Sequence, residues 1–160
     1  MKYQIRKIKE NDNFKIKDVL ISVMKEFGVP EKGTALADSE LDDMFGSYQN
    51  TRSIYFVVIV GKQVLGGAGI NALKGENENI CELQKMYFKP KIRKLGIGKK
   101  LIEKCLNFAR TTGYKFCYIE TMNNMKDAQN LYKKYKFIYI NRPLGNTGHT
   151  SCPVWMLKKL

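Results

Sequence analysis

Six basic residues surround two glycines in Lys89-Pro90-Lys91-Ile92-Arg93-Lys94-Leu95-Gly96-Ile97-Gly98-Lys99-Lys100. The apolar spacing that follows predicts that a helix begins here. The first turn of a helix leaves backbone N–H groups unpaired, and the macrodipole makes that end positive. Glycines let an anion approach those donors with no Cβ in the way. The stretch therefore suits the binding of a diphosphate. It is neither GxxxxGK[ST] nor a GxGxxG followed by a ribose-binding carboxylate. Its pattern is Arg93-x-x-Gly96-x-Gly98, preceded by a strand and a proline.

Other chemistries are poorly supplied. His149 is the only histidine, so a multi-His metal site is excluded and any imidazole relay must use that residue. No metal is expected. Cys81, Cys105, Cys117 and Cys152 are widely spaced and form no CxxC pair, which argues against a zinc ribbon or a disulfide framework. Cys105 and Cys117 read as small core residues. A covalent route through Cys81 or Cys152 is disfavoured, since neither has a base beside it in sequence.

The elements that must position these residues follow from hydrophobic period and turn signals. Lys2 to Lys9 is predicted as a strand. Asp12 or Asn13 then caps a helix carrying Ile16, Val19, Leu20, Val23, Met24 and Phe27. Residues 31–50 are acidic, with Glu31, Asp38, Glu40, Asp42 and Asp43 against Lys32, and a short helix is expected after Ser39. Strands are predicted at Ile54–Val60, Gln63 to about Ala72 and Ile80–Phe88. Gly66, Gly67 and Gly69 signal a bulge or close backbone approach in the second of these. A helix runs from Gly96 to about Thr112, a strand from Tyr114 to Thr121, and a short helix from Met125 to Tyr135. Strands at Phe137–Ile140 and Val154–Leu157 flank a loop with Pro143, Gly145 and Gly148. The order β-α-α-β-β-β-α-β-α-β-β predicts one α/β domain over residues 1–160, with a mixed sheet and no linker or repeat.

On Arg93-x-x-Gly96-x-Gly98 and this element order, the chain resembles the GNAT N-acetyltransferase superfamily, whose acyl-CoA pyrophosphate loop reads [Gln/Arg]-x-x-Gly-x-[Gly/Ala]. Ala128-x-x-x-Tyr132-x-x-x-x-Phe137 is similar to a second stretch of that family, although Lys136 stands where a glycine is usual. The tail Gly145-Asn146-Thr147-Gly148-His149 to Trp155-Met156 looks like a bacterial branch of it. The resemblance implies a mostly antiparallel sheet of about seven strands flanked by about four helices. It implies acetyl-CoA as cosubstrate, with Met86, Tyr87, Phe88, Arg93, Lys94, Leu95, Gly96, Ile97, Gly98, Lys99, Asn124 and Tyr132 around it. A splay between the strand ending at Phe88 and the strand ending at Thr121 would admit the pantetheine arm, and the Met86 N–H would polarise the thioester.

Acetyl transfer to an amine needs a neutral amine and a proton for the departing thiolate. By the same resemblance Glu82 is the base, directly or through water, and Tyr132 the acid. His149 and Glu120 are acceptor-side candidates, His149 as base, acceptor ligand or loop donor. Residues 31–50 correspond to the acceptor lid.

Of 28 Lys+Arg and 15 Asp+Glu, residues 1–53 hold nine of each, and residues 54–160 carry the whole excess of the +13 net charge. A basic nucleic-acid-binding module is one reading of that charge, but no helix-turn-helix or zinc signature supports it. A non-catalytic acyl-CoA sensor is another; Glu82 and Tyr132 together favour an enzyme. The acceptor is a small-molecule amine or the amine of a peptide or protein. The sequence does not fix the oligomeric state; the resemblance admits a homodimer, since many relatives of the fold pair through their C-terminal strands. With no signal peptide and no long apolar run, a cytoplasmic location without membrane partners is expected.

Overall fold

The computed structural model describes residues 1–160. Its seven strands are β1 (Gln4–Lys7), β2 (Ile54–Val60), β3 (Gln63–Ala72), β4 (Ile80–Phe88), β5 (Phe116–Thr121), β6 (Ile138–Ile140) and β7 (Val154–Lys159). Its helices are α1 (Asn13–Glu26), α2 (Ile97–Thr111) and α3 (Lys126–Lys134). The strands form one sheet in the order β1-β2-β3-β4-β5-β7-β6, antiparallel at every pairing except β4 with β5. That single parallel pairing requires a crossover, and α2 supplies it.

The sheet separates two apolar layers. α2 and α3 cover one face with Leu101, Ile102, Cys105, Leu106, Ala109 and Tyr132. α1 covers the other with Ile16, Val19, Leu20, Val23 and Met24, joined by Leu41, Met44 and Tyr48. No helix of the chain is long and apolar enough to cross a membrane.

Two local expectations are corrected. Three α-helices are present, not about four: residues 31–50 form only 3-10 turns at Ala35–Ala37, Ser39–Asp42 and Gly46–Tyr48. Leu41, Met44 and Tyr48 still bury their side chains against α1, so short turns are enough to bring those anchors inward. Neither Asp12 nor Asn13 caps α1 with its side chain. Asp12 is drawn off by the Arg6 guanidinium, at 2.6 and 3.0 Å, and by the Lys9 N–H. Asn13 reaches instead to Asp43 and to the Phe45 N–H. A charge-assisted pair outcompetes a neutral cap.

The glycines of β3 do mark a close approach. A Cβ at Gly67 would lie 2.5 Å from the Tyr55 ring and 2.7 Å from the Phe56 carbonyl oxygen. The β3–β4 register steps from Gly69↔Gln84 to Gly67↔Tyr87, so β4 carries one residue more than β3 there. Lys85 sits in this bulge with φ +50°, and its carbonyl accepts the Tyr55 O–H at 2.8 Å. Bulges bend a strand and raise its twist, which matters for what β4 does next.

Candidate active site

β4 and β5 pair only at Ile80↔Phe116, Cys81↔Cys117 and Glu82↔Tyr118. Beyond Glu82 the two strands diverge, β4 running on to Phe88 and β5 to Thr121. The expected splay is present, and the Lys85 bulge accounts for it by turning β4 away from its neighbour. On its other side β4 stays paired to β3 through Tyr87 and Phe88.

A cleft of about 840 Å³ opens from this divergence toward the start of α2. Met86, Tyr87, Phe88, Arg93, Lys94, Gly96, Gly98, Lys99, Asn124 and Tyr132 line it. Gly96 precedes α2 with φ +74°, a left-handed conformation that favours glycine, and a Cβ there would touch nothing within 4 Å. Lys94, Lys99, Lys126 and Lys134 supply positive charge, with Asp127 the one acid in the lining. Free helix-start amides, a basic rim and an open approach fit an anionic, elongated ligand.

Leu95 is half exposed, Ile97 at the start of α2 is buried in the core, and neither lines the cleft. The Arg93 guanidinium grips Glu26 at 2.6 and 2.7 Å while its Nε donates to the Phe88 carbonyl at 2.8 Å. Arg93 therefore braces the glycine turn against α1. Asn124 donates to the Phe27 carbonyl at 2.8 Å, tying the same end of α1 to the loop before α3. Tyr132 packs on Phe137, ring centroids 5.9 Å apart, and is 5% exposed. Burial pushes its phenol well above the ordinary value, so it holds its proton.

Glu82 lies on a separate, smaller cavity of about 40 Å³, lined also by Gln84, Lys85, Tyr87, Glu120, Met122, His149 and Cys152 among others. Tyr87 lines both spaces and is the wall they share. Glu82 is 4% exposed. Desolvation raises its carboxyl to about 7, against the opposing hydrogen bond from Gln84 and with the help of the Glu120 charge. A carboxyl poised there is half ionised near neutrality, as a general base requires.

The acceptor-side candidates come together. His149 Nδ1 lies 3.0 Å from Glu120 Oε2 and its Nε2 lies 2.9 Å from Asp38 Oδ1. Burial favours the neutral ring, but the two carboxylates win and raise His149 to about 10. As an imidazolium through neutral pH it has no lone pair with which to act as a base. Asp38, held at about 2 despite its burial, also pairs with Lys85 Nζ at 2.7 Å. Glu120 accepts from the Tyr118 and Thr147 hydroxyls. The Ser151 N–H donates to the Gly33 carbonyl at 2.9 Å, so the loop before β7 is fastened to the acidic segment by backbone as well as by charge.

The sequence does not single out Gln84, Lys85 or Tyr118, and it names Asp38 and Cys152 without placing them beside His149. Asp38 lies 111 residues from His149, and no spacing rule links such positions. The one usable signal is the acidic segment itself, which does not tell which carboxylate turns inward.

Residues 20–137 match the model of the acetyltransferase (GNAT) family. The chain is 41% identical over 157 residues to the uncharacterized N-acetyltransferase YjgM of Escherichia coli (strain K12), covering 98% of this chain and 94% of that protein. Among solved structures, an acetyltransferase of the GNAT family from Staphylococcus aureus Mu50 superposes with a TM-score of 0.87 at 19% identity, over 99% of both chains. The PaiA N-acetyltransferase of Thermoplasma acidophilum, crystallised in complex with coenzyme A, superposes with a TM-score of 0.73 at 16% identity over all of both chains.

Proposed function

The chain belongs to the acetyltransferase (GNAT) family, and on that premise we propose that it moves acetyl from acetyl-CoA to a primary amine by direct attack in a ternary complex. The observation that carries this reading is that cleft and cavity share Tyr87 as a wall, with helix-start amides lining the one and Glu82 the other. The cleft's basic rim and cradle fit a diphosphate-bearing cosubstrate of extended shape.

In this reading the amides at Gly96–Gly98 hold the pyrophosphate, and Lys94 and Lys99 add charge at the rim. The Met86 N–H, on the stretch of β4 that diverges from β5, polarises the acyl carbonyl. An alkylammonium with an ordinary pKa near about 10.4 must lose a proton before it attacks. Glu82, at about 7, takes that proton directly or through one water, for which the cavity has room. The Tyr132 hydroxyl, on the wall of the cleft, gives a proton to the departing thiolate. The acceptor is a small amine or an amine presented by a peptide or protein.

Calorimetric titration with acetyl-CoA, followed by an acceptor-library screen for release of free CoA, tests the proposal in two stages. Saturable binding with turnover on an amine is expected. Absence of binding removes the cleft assignment, and binding without turnover on any amine leaves a sensor.

A further inference from the structure

We propose that Glu120, His149 and Cys152 form a binding site for one divalent transition-metal ion of the zinc class, in the wall of the cavity that Glu82 also lines. Sequence excluded a multi-His centre, but the fold assembles one imidazole, one carboxylate and one thiol instead. The three donor atoms lie within 4.8 Å of one another. In a tetrahedron with metal–ligand distances of about 2.0–2.3 Å, neighbouring donors stand about 3.3–3.7 Å apart. His149 Nδ1 and Glu120 Oε2, now at 3.0 Å, need only part slightly, while the thiol closes in.

Cys152 is the second observation. It is 9% exposed, it is the one cysteine on the cavity wall, and no hydrogen bond to its sulfur accounts for its place there. A mixed N, O and S donor set selects zinc-like ions over magnesium or calcium. Three protein ligands leave the fourth position facing the cavity of about 40 Å³, which accommodates a water.

The surrounding groups are already those that metal sites use to orient their ligands. Asp38 accepts from His149 Nε2, which fixes the ring with Nδ1 toward Glu120, and Lys85 holds Asp38. Tyr118 and Thr147 fix the Glu120 carboxylate. Binding displaces the proton on the Cys152 sulfur and any proton on His149 Nδ1.

A metal there takes space that an amine would need, making the transfer reaction zinc-sensitive. That consequence alone rests on the proposed function; metal binding does not.

The test uses folded, chelator-treated protein without acetyl-CoA or acceptor, titrated with Co²⁺ alone. The expected result is one equivalent bound with the visible bands of four-coordinate cobalt and a near-ultraviolet thiolate charge-transfer band, both lost on adding Zn²⁺. Cys152→Ser should abolish the charge-transfer band. Asp38→Asn should keep it and weaken affinity about 10–100-fold. If Cys152→Ser does not fold, His149→Asn serves in its place and should lower Zn²⁺ affinity at least about tenfold. A six-coordinate cobalt spectrum, no binding, a charge-transfer band that survives Cys152→Ser, or a Zn²⁺ affinity unmoved by His149→Asn overturns the proposal.

Discussion

Gln84 Nε2 donates a 2.6 Å hydrogen bond to Glu82 Oε2, the one side-chain partner that the chain gives this buried carboxylate. The Tyr48 O–H donates to Gln84 Oε1 at 2.7 Å, which fixes the amide with its donor toward Glu82. The bond favours the charged carboxylate and so opposes the desolvation that lifts it to about 7. If Glu82 is the base, the rate should fall as pH drops through about 7, where the carboxylate gains a proton. Gln84→Leu should move that limb to higher pH, and Glu82→Gln should remove it while lowering kcat about 10²–10⁴-fold. Rate profiles against pH for the three proteins check this; a limb that Gln84→Leu does not move would count against it.

The same shift has a consequence for stability. Glu82 is raised in the folded protein, so between its unfolded pKa and about 7 the native state binds the extra proton. Stability from this group is therefore present at low pH and lost as pH rises through about 7. Glu82→Gln, with nothing to ionise, should be more stable than wild type above about pH 8, by on the order of 1–3 kcal/mol, and show little gain near pH 5. Urea unfolding at the two pH values measures it. An equal difference at both would mean that Glu82 does not ionise in a buried site.

Tyr132 separates packing from chemistry. Its ring packs on Phe137, but its hydroxyl makes no hydrogen bond within the protein, and the residue lines the cleft. Tyr132→Phe should keep the melting temperature within a few degrees and lower kcat by about 10²-fold or more, with acetyl-CoA affinity little changed. Pre-steady-state and melting measurements on one preparation distinguish this from a tyrosine that merely fills space.

Gly96, before α2, and Gly98, in its first turn, should answer differently. A Cβ on Gly98 would meet Leu131, Phe88 and Met86 at 3.4–3.7 Å, ordinary contact, so the fold should accept a larger residue. Gly98→Val should leave unfolding nearly unchanged and weaken acetyl-CoA binding at least tenfold, because it fills the cleft wall. Gly96 has φ +74°, and Gly96→Ala should destabilise by about 1–2 kcal/mol through backbone strain. Calorimetry with acetyl-CoA and thermal unfolding read the two effects separately.

The sheet was legible wherever short-range pattern decides. Ile54–Val60, Gln63–Ala72 and Ile80–Phe88 fall where β-branched runs and turn residues put them. The start of α2 was legible because glycines and helix period mark it within a few residues. What escaped was set by long-range contact. Asp38 turns inward because Lys85 and His149, distant in the chain, meet it with positive charge. The bulge at Lys85 has no glycine to announce it, since a lysine takes the positive φ. Nothing local to Arg93 tells that Glu26, 67 residues earlier, reaches its guanidinium.

The Lys85 bulge leaves β4 like a zipper closed along one side only. Its ladder to β3 resumes after the bulge and runs to Phe88, while its other edge loses its partner after Glu82. An unfinished strand edge at the rim of a sheet invites neighbouring chains to add themselves to it. Here it lies in the middle of the molecule with helices over both faces, out of reach of another folded chain yet open to a guest slim enough to slide in lengthwise.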